Sequence, residues 1–304
     1  MSFFVASLDV QCSHCHNVNQ FERDDKPVKQ AARRMVRLMH SLNKDHYEGK
    51  VVVNCYTCHQ GRLQPVAVPS LAAAVRGDEP GAARPKSPET LLSVDEVLEK
   101  CLQAAGGRAA LEKITTRLLK GTLEVPGRRA PLERHQKTPN KLLMTARIGE
   151  RPSYVGYDGA SGWEQSPDGS QRDAAGEDLL RTQRDAELYS ELRFRQLYPK
   201  LAVTGREKIG DRDVVMLDAT SRGGDAEKLY FDAPSGLLVR TLQLNESPLG
   251  LLPFQTDYED YKEVDGVRLP FTVRWTRPDV SLAFRYESVE HNVPTDDAKF
   301  RKPA

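Results

Sequence analysis

Two pentapeptides carry most of the chemistry in this chain: Cys12-Ser13-His14-Cys15-His16 and Cys55-Tyr56-Thr57-Cys58-His59. Each reads C-x-x-C-H. Two thiols at that spacing can form thioether bonds with the two vinyl groups on one edge of a haem, and the histidine that follows can give a nitrogen to the iron. Four of the five cysteines fall into these pairs. The expectation is two covalently attached c-type haems. Cys12, Cys15 and His16 would hold the first, and Cys55, Cys58 and His59 the second, with His16 and His59 as iron ligands. A four-cysteine zinc site is the rival, but zinc gives no reason for a histidine after both pairs, and residues 16–54 exceed the usual ribbon spacing. A redox dithiol belongs in a βαβ unit, and no such alternation is present. His14 reads as a solvated spacer.

A haem that only carries electrons needs a sixth ligand, and thioether sulfur opposite histidine raises the potential. Residues 25–43 lie between the motifs. Asp25 and Pro27 form a helix start, and Asn43 suits a helix end. Val28, Ala31, Ala32, Met35, Leu38, Met39 and Leu42 make one apolar stripe at helical spacing. Methionines on such a stripe are usually core. Here the helix also offers an apolar wall and sulfur, and at most one of Met35 and Met39 need be a ligand.

Helix, loop and then Cys55-Tyr56-Thr57-Cys58-His59-Gln60-Gly61 resembles the multihaem cytochrome subunit of purple-bacterial photosynthetic reaction centres. Arg33-Arg34-Met35 and Asn43 match that family's ligand helix. Cys12-Ser13-His14-Cys15-His16, Phe21 and Asp24-Asp25 match its preceding haem segment. The likeness covers residues 1 to about 65. It implies that Met35 ligates the second haem opposite His59. Arg33 and Arg34 are placed to pair with haem propionates, or else form a solvated basic face. The family's first haem would need its own methionine-bearing helix before Cys12. Met1 is the only methionine there, near the family's spacing, and the supporting helix is missing.

The 304 residues leave room for two modest domains, and a formal net charge of +1 gives no footprint for nucleic acid. No run approaches the ~20 apolar residues of a membrane helix. The start, Met1-Ser2-Phe3-Phe4-Val5-Ala6-Ser7, has no basic segment and no long apolar run of a secretory signal. Bacterial c-type haem is attached outside the cytoplasm. The expectation is therefore a periplasmic or otherwise extracytoplasmic protein whose native product begins upstream of Met1.

The chain divides into a dihaem domain at 1–62, a Pro/Ala-rich linker at 63–92, and a second domain at 93–304. Ser93-Val94-Asp95-Glu96 is a capping box whose helix runs to about Ala105 and stops at Gly106-Gly107. Cys101 inside it reads as a buried small apolar residue. From about 115, strands alternate with turns. Examples are 120–125, 141–146, 213–219, 228–232 and 237–242, with turns at Asp158-Gly159, 232–236 and Asp265-Gly266. Short turns favour an antiparallel meander, interrupted by one helix over about 174–193.

Gly156-Tyr157-Asp158-Gly159, Lys228-Leu229-Tyr230-Phe231-Asp232 and residues 260–271 resemble the LolA/LolB-like lipoprotein-carrier fold, which implies a curved antiparallel sheet wrapped around helices. His135 and His291 read as surface or strand histidines, and no catalytic constellation is present. The fold class expected is multidomain, a small mainly-α dihaem cytochrome c domain followed by a mainly antiparallel β domain. The function expected is electron transfer with a redox partner protein, the β domain binding a partner or an apolar ligand. An alternative is a periplasmic lipid- or lipoprotein-binding protein with an accessory or sensory haem segment. A haem with an open sixth position would instead support peroxidase chemistry.

Overall fold

The structure is a computed structural model that describes residues 2–17, 20–65, 92–247 and 249–303. It divides into two compact units, Met1–Thr90 with Leu244–Phe254 and Arg277–Asp279, and the remainder. Each is treated on its own. Met1 and nearly all of the 63–92 linker lie outside the described residues.

The first unit is built on helices α1 (Ser2–Leu8), α2 (Cys12–Cys15), α3 (Pro27–His46) and α4 (Cys55–His59). Pro27 opens α3, where its missing N–H removes no helical bond and its fixed φ suits the first turn. The helix runs three residues past Asn43 and ends with the Tyr47 N–H donating to the Asn43 carbonyl. The short helix α1 stands where the sequence promised no helix before Cys12. It buries Phe3 and Ser7, and the Gly61 N–H donates to the Ser7 carbonyl at 3.0 Å, which ties it to the end of α4.

The second unit begins with α5 (Val94–Ala104) and α6 (Arg108–Leu111). The expected capping box closes α5: the Glu96 N–H donates to Ser93 Oγ at 3.2 Å, and the Ser93 N–H to Glu96 Oε2 at 2.6 Å. Gly106 ends the helix at φ 116, and a Cβ there would strike the Gly266 carbonyl oxygen. Cys101 is buried, as its place on the apolar face of α5 requires.

Among the described residues thirteen strands form one sheet. They are β1 (Thr116–Val125), β2 (Arg128–Lys137), β3 (Lys141–Ala146), β4 (Ser153–Tyr157), β5 (Gly162–Gln165), β6 (Gln171–Asp173), β7 (Lys200–Ile209), β8 (Arg212–Thr220), β9 (Ala226–Asp232), β10 (Leu238–Ser247), β11 (Gly250–Val264), β12 (Val267–Arg277) and β13 (Val280–His291). Their order, β6-β5-β4-β3-β2-β1-β13-β12-β11-β10-β9-β8-β7, is two meanders joined by the β1–β13 pair. That pair runs antiparallel from Arg117 opposite His291 to Glu124 opposite Ala283.

Helices α7 (Gly176–Ala186) and α8 (Ser190–Leu197) connect the two edge strands. The sequence suggests one helix here; the structure has two. The chain turns extended at Glu187 and drives Leu188 and Tyr189 into the core, which a continuous helix would not allow. Leu102, Leu111, Ile114, Leu188, Tyr189 and Val267 form one buried cluster, and Val97, Cys101, Phe194, Leu217, Leu229 and Phe231 belong to another.

Candidate functional site

The first C-x-x-C-H motif is a single helical turn. The His16 N–H closes it on the Cys12 carbonyl at 3.0 Å, and His16 itself is extended, with φ −120 and ψ 151. Its ring tilts against Phe21 at 5.3 Å between centroids, and Nδ1 lies 2.9 Å from the Phe21 carbonyl oxygen. An acceptor there requires Nδ1 to carry the proton, which leaves the Nε2 lone pair free for a metal. Lys26 Nζ donates to the carbonyls of Ser13 at 2.6 Å and His16 at 2.9 Å, where the turn leaves its acceptors unpaired.

Cys12, Cys15 and His16 line a cavity of about 440 Å³. Phe4 and Val5 of α1 form part of its wall, and Lys29, Ala32, Arg33, Val36 and Arg37 of α3 another part. Burial pushes the Cys15 thiol pKa up, with the charge of Lys26 acting the other way.

The second motif follows α3 through a loop held by one side chain. Asn43 Oδ1 accepts from the backbone N–H of Val52 at 3.0 Å and of Val53 at 2.9 Å, and its Nδ2 donates to the Val53 carbonyl at 2.6 Å. Helix α4 is capped reciprocally, Asn54 Oδ1 accepting from the Thr57 N–H at 3.1 Å and Thr57 Oγ1 from the Asn54 N–H at 3.0 Å. Thr57, between the two cysteines, thus helps to fix the turn that presents both thiols. His59 Nδ1 lies 3.0 Å from the Arg62 carbonyl oxygen, the same arrangement as at His16. Burial raises the Cys55 thiol pKa, while Cys58 is exposed.

The two methionines of α3 separate. Met39 is buried at 5% exposure, while Met35 is 48% exposed together with Leu38. Val51, Val52, Tyr56 and Leu63 are also exposed around α4. So much uncovered apolar surface in a small unit calls for a covering group. The apolar cavity at the first motif, and at both motifs the paired thiols and an imidazole whose Nδ1 faces a carbonyl, fit covalently attached haem. Met1 lies outside the described residues. Arg33 donates to Asp24 Oδ1 at 2.9 Å beside the first cavity, and Arg34 is not among that cavity's lining residues. Phe21 entered only through the family resemblance, and the contributions of Lys26, Lys29 and Arg37 were not legible in the sequence, since basic residues in such a segment carry no spacing signal of their own.

Residues 1–85 match the family model of the photosynthetic reaction centre cytochrome C subunit. Cytochrome c-554 of Chloroflexus aurantiacus is 41% identical over 63 residues, 19% of this chain and 15% of that protein. The photosynthetic reaction center cytochrome c subunit of Rubrivivax gelatinosus is 30% identical over 100 residues, 27% of each chain. The chain therefore spans less than a third of the length of either relative. Its N-terminal segment is similar to cytochrome c subunits of reaction centres, and covalently bound c-type haem is the cofactor this similarity implies.

For the rest of the chain, the crystal structure of a DUF1329 family protein from Desulfovibrio piger matches with a TM-score of 0.51 at 13% identity, covering 68% of this chain and 97% of that one. It shares the fold of a large open antiparallel sheet with helices. A LolA superfamily protein from Nitrosomonas europaea gives a TM-score of 0.48 at 15% identity, over 69% of this chain and 98% of that one.

The second unit holds no group of three or more His, Cys, Asp or Glu placed for a metal among the described residues. Several polar groups under its helices are paired. Arg134 and Gln136 of β2 both donate to the Asp185 carbonyl, Gln136 at 2.9 Å. Tyr198 donates to Glu227 at 2.7 Å, and burial, with that carboxylate, holds the Tyr198 pKa well above its ordinary value. A groove of about 890 Å³ lies along α5 and α8, with Leu98, Leu102, Leu192 and Phe194 in its walls and Asp95, Glu99 and Arg195 among its charged residues. His135 and His291 both sit in strands with buried side chains, not at the surface.

Proposed function

We propose that this chain is an exported dihaem c-type cytochrome that carries electrons between partner redox proteins. The observation that carries the reading is the carbonyl oxygen facing Nδ1 of each motif histidine, Phe21 at 2.9 Å from His16 and Arg62 at 3.0 Å from His59. A histidine meant to ligate iron through Nε2 needs such an Nδ1 acceptor to fix its tautomer and ring plane. Cys12 and Cys15 would anchor the first haem with His16 as its ligand, and Cys55 and Cys58 the second with His59. Met35, exposed on α3, is the proposed sixth ligand of the second haem, and Met1 that of the first. Bound haem supplies one-electron cycling between Fe(II) and Fe(III). The chain supplies anchors, an axial imidazole and an apolar wall that excludes water.

Electron carriage, rather than turnover of a substrate, is the proposed role. Attachment of c-type haem outside the cytoplasm supports an extracytoplasmic location. No helix among the described residues is long and apolar enough to cross a membrane. The named relatives support a reaction-centre-type complex as one class of redox partner. Protein matured with a fused export signal should carry two haems that survive denaturation, counted by mass spectrometry. Cys55→Ala with Cys58→Ala should remove one and leave the other. Apo-protein or stoichiometric zinc after such maturation would overturn the reading.

The apolar walls of the groove along α5 and α8 favour a second reading, binding of an apolar ligand by the second unit. Displacement of a fluorescent fatty acid from the full chain, abolished by Leu98→Glu, is its test.

A further inference from the structure

Helix α3 belongs, by its place before the second motif and by Met35, to the second haem. The cavity at the first motif is nevertheless lined by Lys29, Ala32, Arg33, Val36 and Arg37 of the same helix. At about 100° per residue, Ala32, Val36, Arg33 and Arg37 occupy one arc of α3, while Met35 and Leu38 lie on the roughly opposite arc. One helix, about 10–12 Å across with its side chains, therefore stands between the two seats.

The charges on the first arc are unevenly matched. Lys29 Nζ is engaged by the carbonyls of Phe21 at 2.7 Å and Arg23 at 2.6 Å and by Asp24 at 2.8 Å. Arg33 bonds the same Asp24 carboxylate at 2.9 Å. One carboxylate thus serves two cations. Arg37 has no ion-pair partner among the described residues, although it lines the cavity.

We propose that α3 is a wall shared by both haem seats and that Arg37, with Arg33, sets the potential of the first haem although the helix carries the proposed ligand of the second. This rests on the dihaem reading above. A guanidinium at the rim of the seat suits the carboxylates of a haem edge, which it can meet with two parallel N–H bonds. Its charge also favours the ferrous state, because reduction removes one positive charge from the iron centre. Arg37 is exposed, so the influence must weaken as salt shortens the screening length.

The test is a spectroelectrochemical titration of the full-length holoprotein, after the haems have been counted by mass spectrometry. Met35→His marks the wave of the second haem. Arg37→Gln should shift the other wave to lower potential, by more than it moves the marked one. Arg37→Lys should restore most of the shift, and raising the salt should shrink the difference between wild type and Arg37→Gln. Arg33→Gln should move the same wave in the same direction, and Arg34→Gln, outside the cavity lining, should leave it in place. A protein with two haems in which Arg37→Gln moves the Met35-marked wave, or neither wave, overturns the inference and leaves the dihaem reading standing. A haem count of zero overturns both.

Discussion

Met35 and Met39 stand one turn apart on α3 and meet different surroundings, Met39 buried within the first unit and Met35 exposed on the side of Leu38. A sulfur meant for iron must face the cofactor, and a sulfur packed by the chain cannot reach it. Met39→Leu, a volume-conserving swap, should cost under about 1.5 kcal/mol and leave both potentials in place. Met39→Ala should cost about 2–5 kcal/mol in a urea titration, through the cavity it leaves. Met35→His should lower the potential of the second haem, because imidazole favours the reduced metal less than thioether sulfur does. A potential that follows Met39 and ignores Met35 would reassign the ligand.

At the scale of elements, the second seat depends on how α3 is joined to α4. Asn43 is 2% exposed and makes that joint, accepting two backbone N–H groups and donating to the Met39 and Val53 carbonyls. Asn43→Ala would leave the Val53 amide without its acceptor, at about 1–3 kcal/mol, while the Val52 N–H keeps the Lys50 carbonyl at 3.0 Å. The expected loss is roughly 1–3 kcal/mol by urea unfolding, with Asn43→Asp, which retains the acceptor, losing less. A loss no larger than that of an exposed substitution such as Lys44→Ala would show that the loop is held by other contacts.

Over the whole second unit, the β1–β13 pair that joins the two meanders carries a buried histidine. His291 Nδ1 lies 3.1 Å from Asp265 Oδ2, and its Nε2 accepts from Arg117 Nε at 3.2 Å. The ring thus links β13, β1 and the β11–β12 turn. Burial lowers the His291 pKa, the Arg117 charge adds to this, and Asp265 opposes it. The lowered value means that in mild acid the unfolded chain takes up a proton that the folded chain refuses. Stability from this site is therefore complete above about pH 6.5 and declines as pH falls from there toward the folded value. Denaturant midpoints should drop between about pH 7 and pH 5, and the slope should be shallower in His291→Gln. The lowered pKa of His135, set mainly by burial, adds a slope of the same sign that the variant retains. An identical slope in wild type and His291→Gln would remove His291 from the account.

The sequence alone specified what depends on neighbours a few residues apart. The spacing of Cys12-Cys15-His16 and Cys55-Cys58-His59 dictates what they can bind covalently. Ser93 and Glu96 close a helix start by direct hydrogen bonds, and the Asp265-Gly266 turn follows from the backbone angles each residue tolerates. Tertiary structure decided what depends on residues far apart in the chain or on the direction a side chain takes. It placed α1 in the wall of the first cavity, turned Arg33 and Arg37 toward that cavity, and supplied the carbonyls of Phe21 and Arg62 to the two histidines. It also made a central strand of β2, which is rich in charge and carries Pro131 beyond its last pair with β3, Leu132 opposite Ala146. The residues of β2 do not read as a strand by themselves, because a strand is stabilised by the neighbours it pairs with and the face it buries. The same holds for one helix between two seats: the residue pattern gives the arc, and only packing decides what each arc meets.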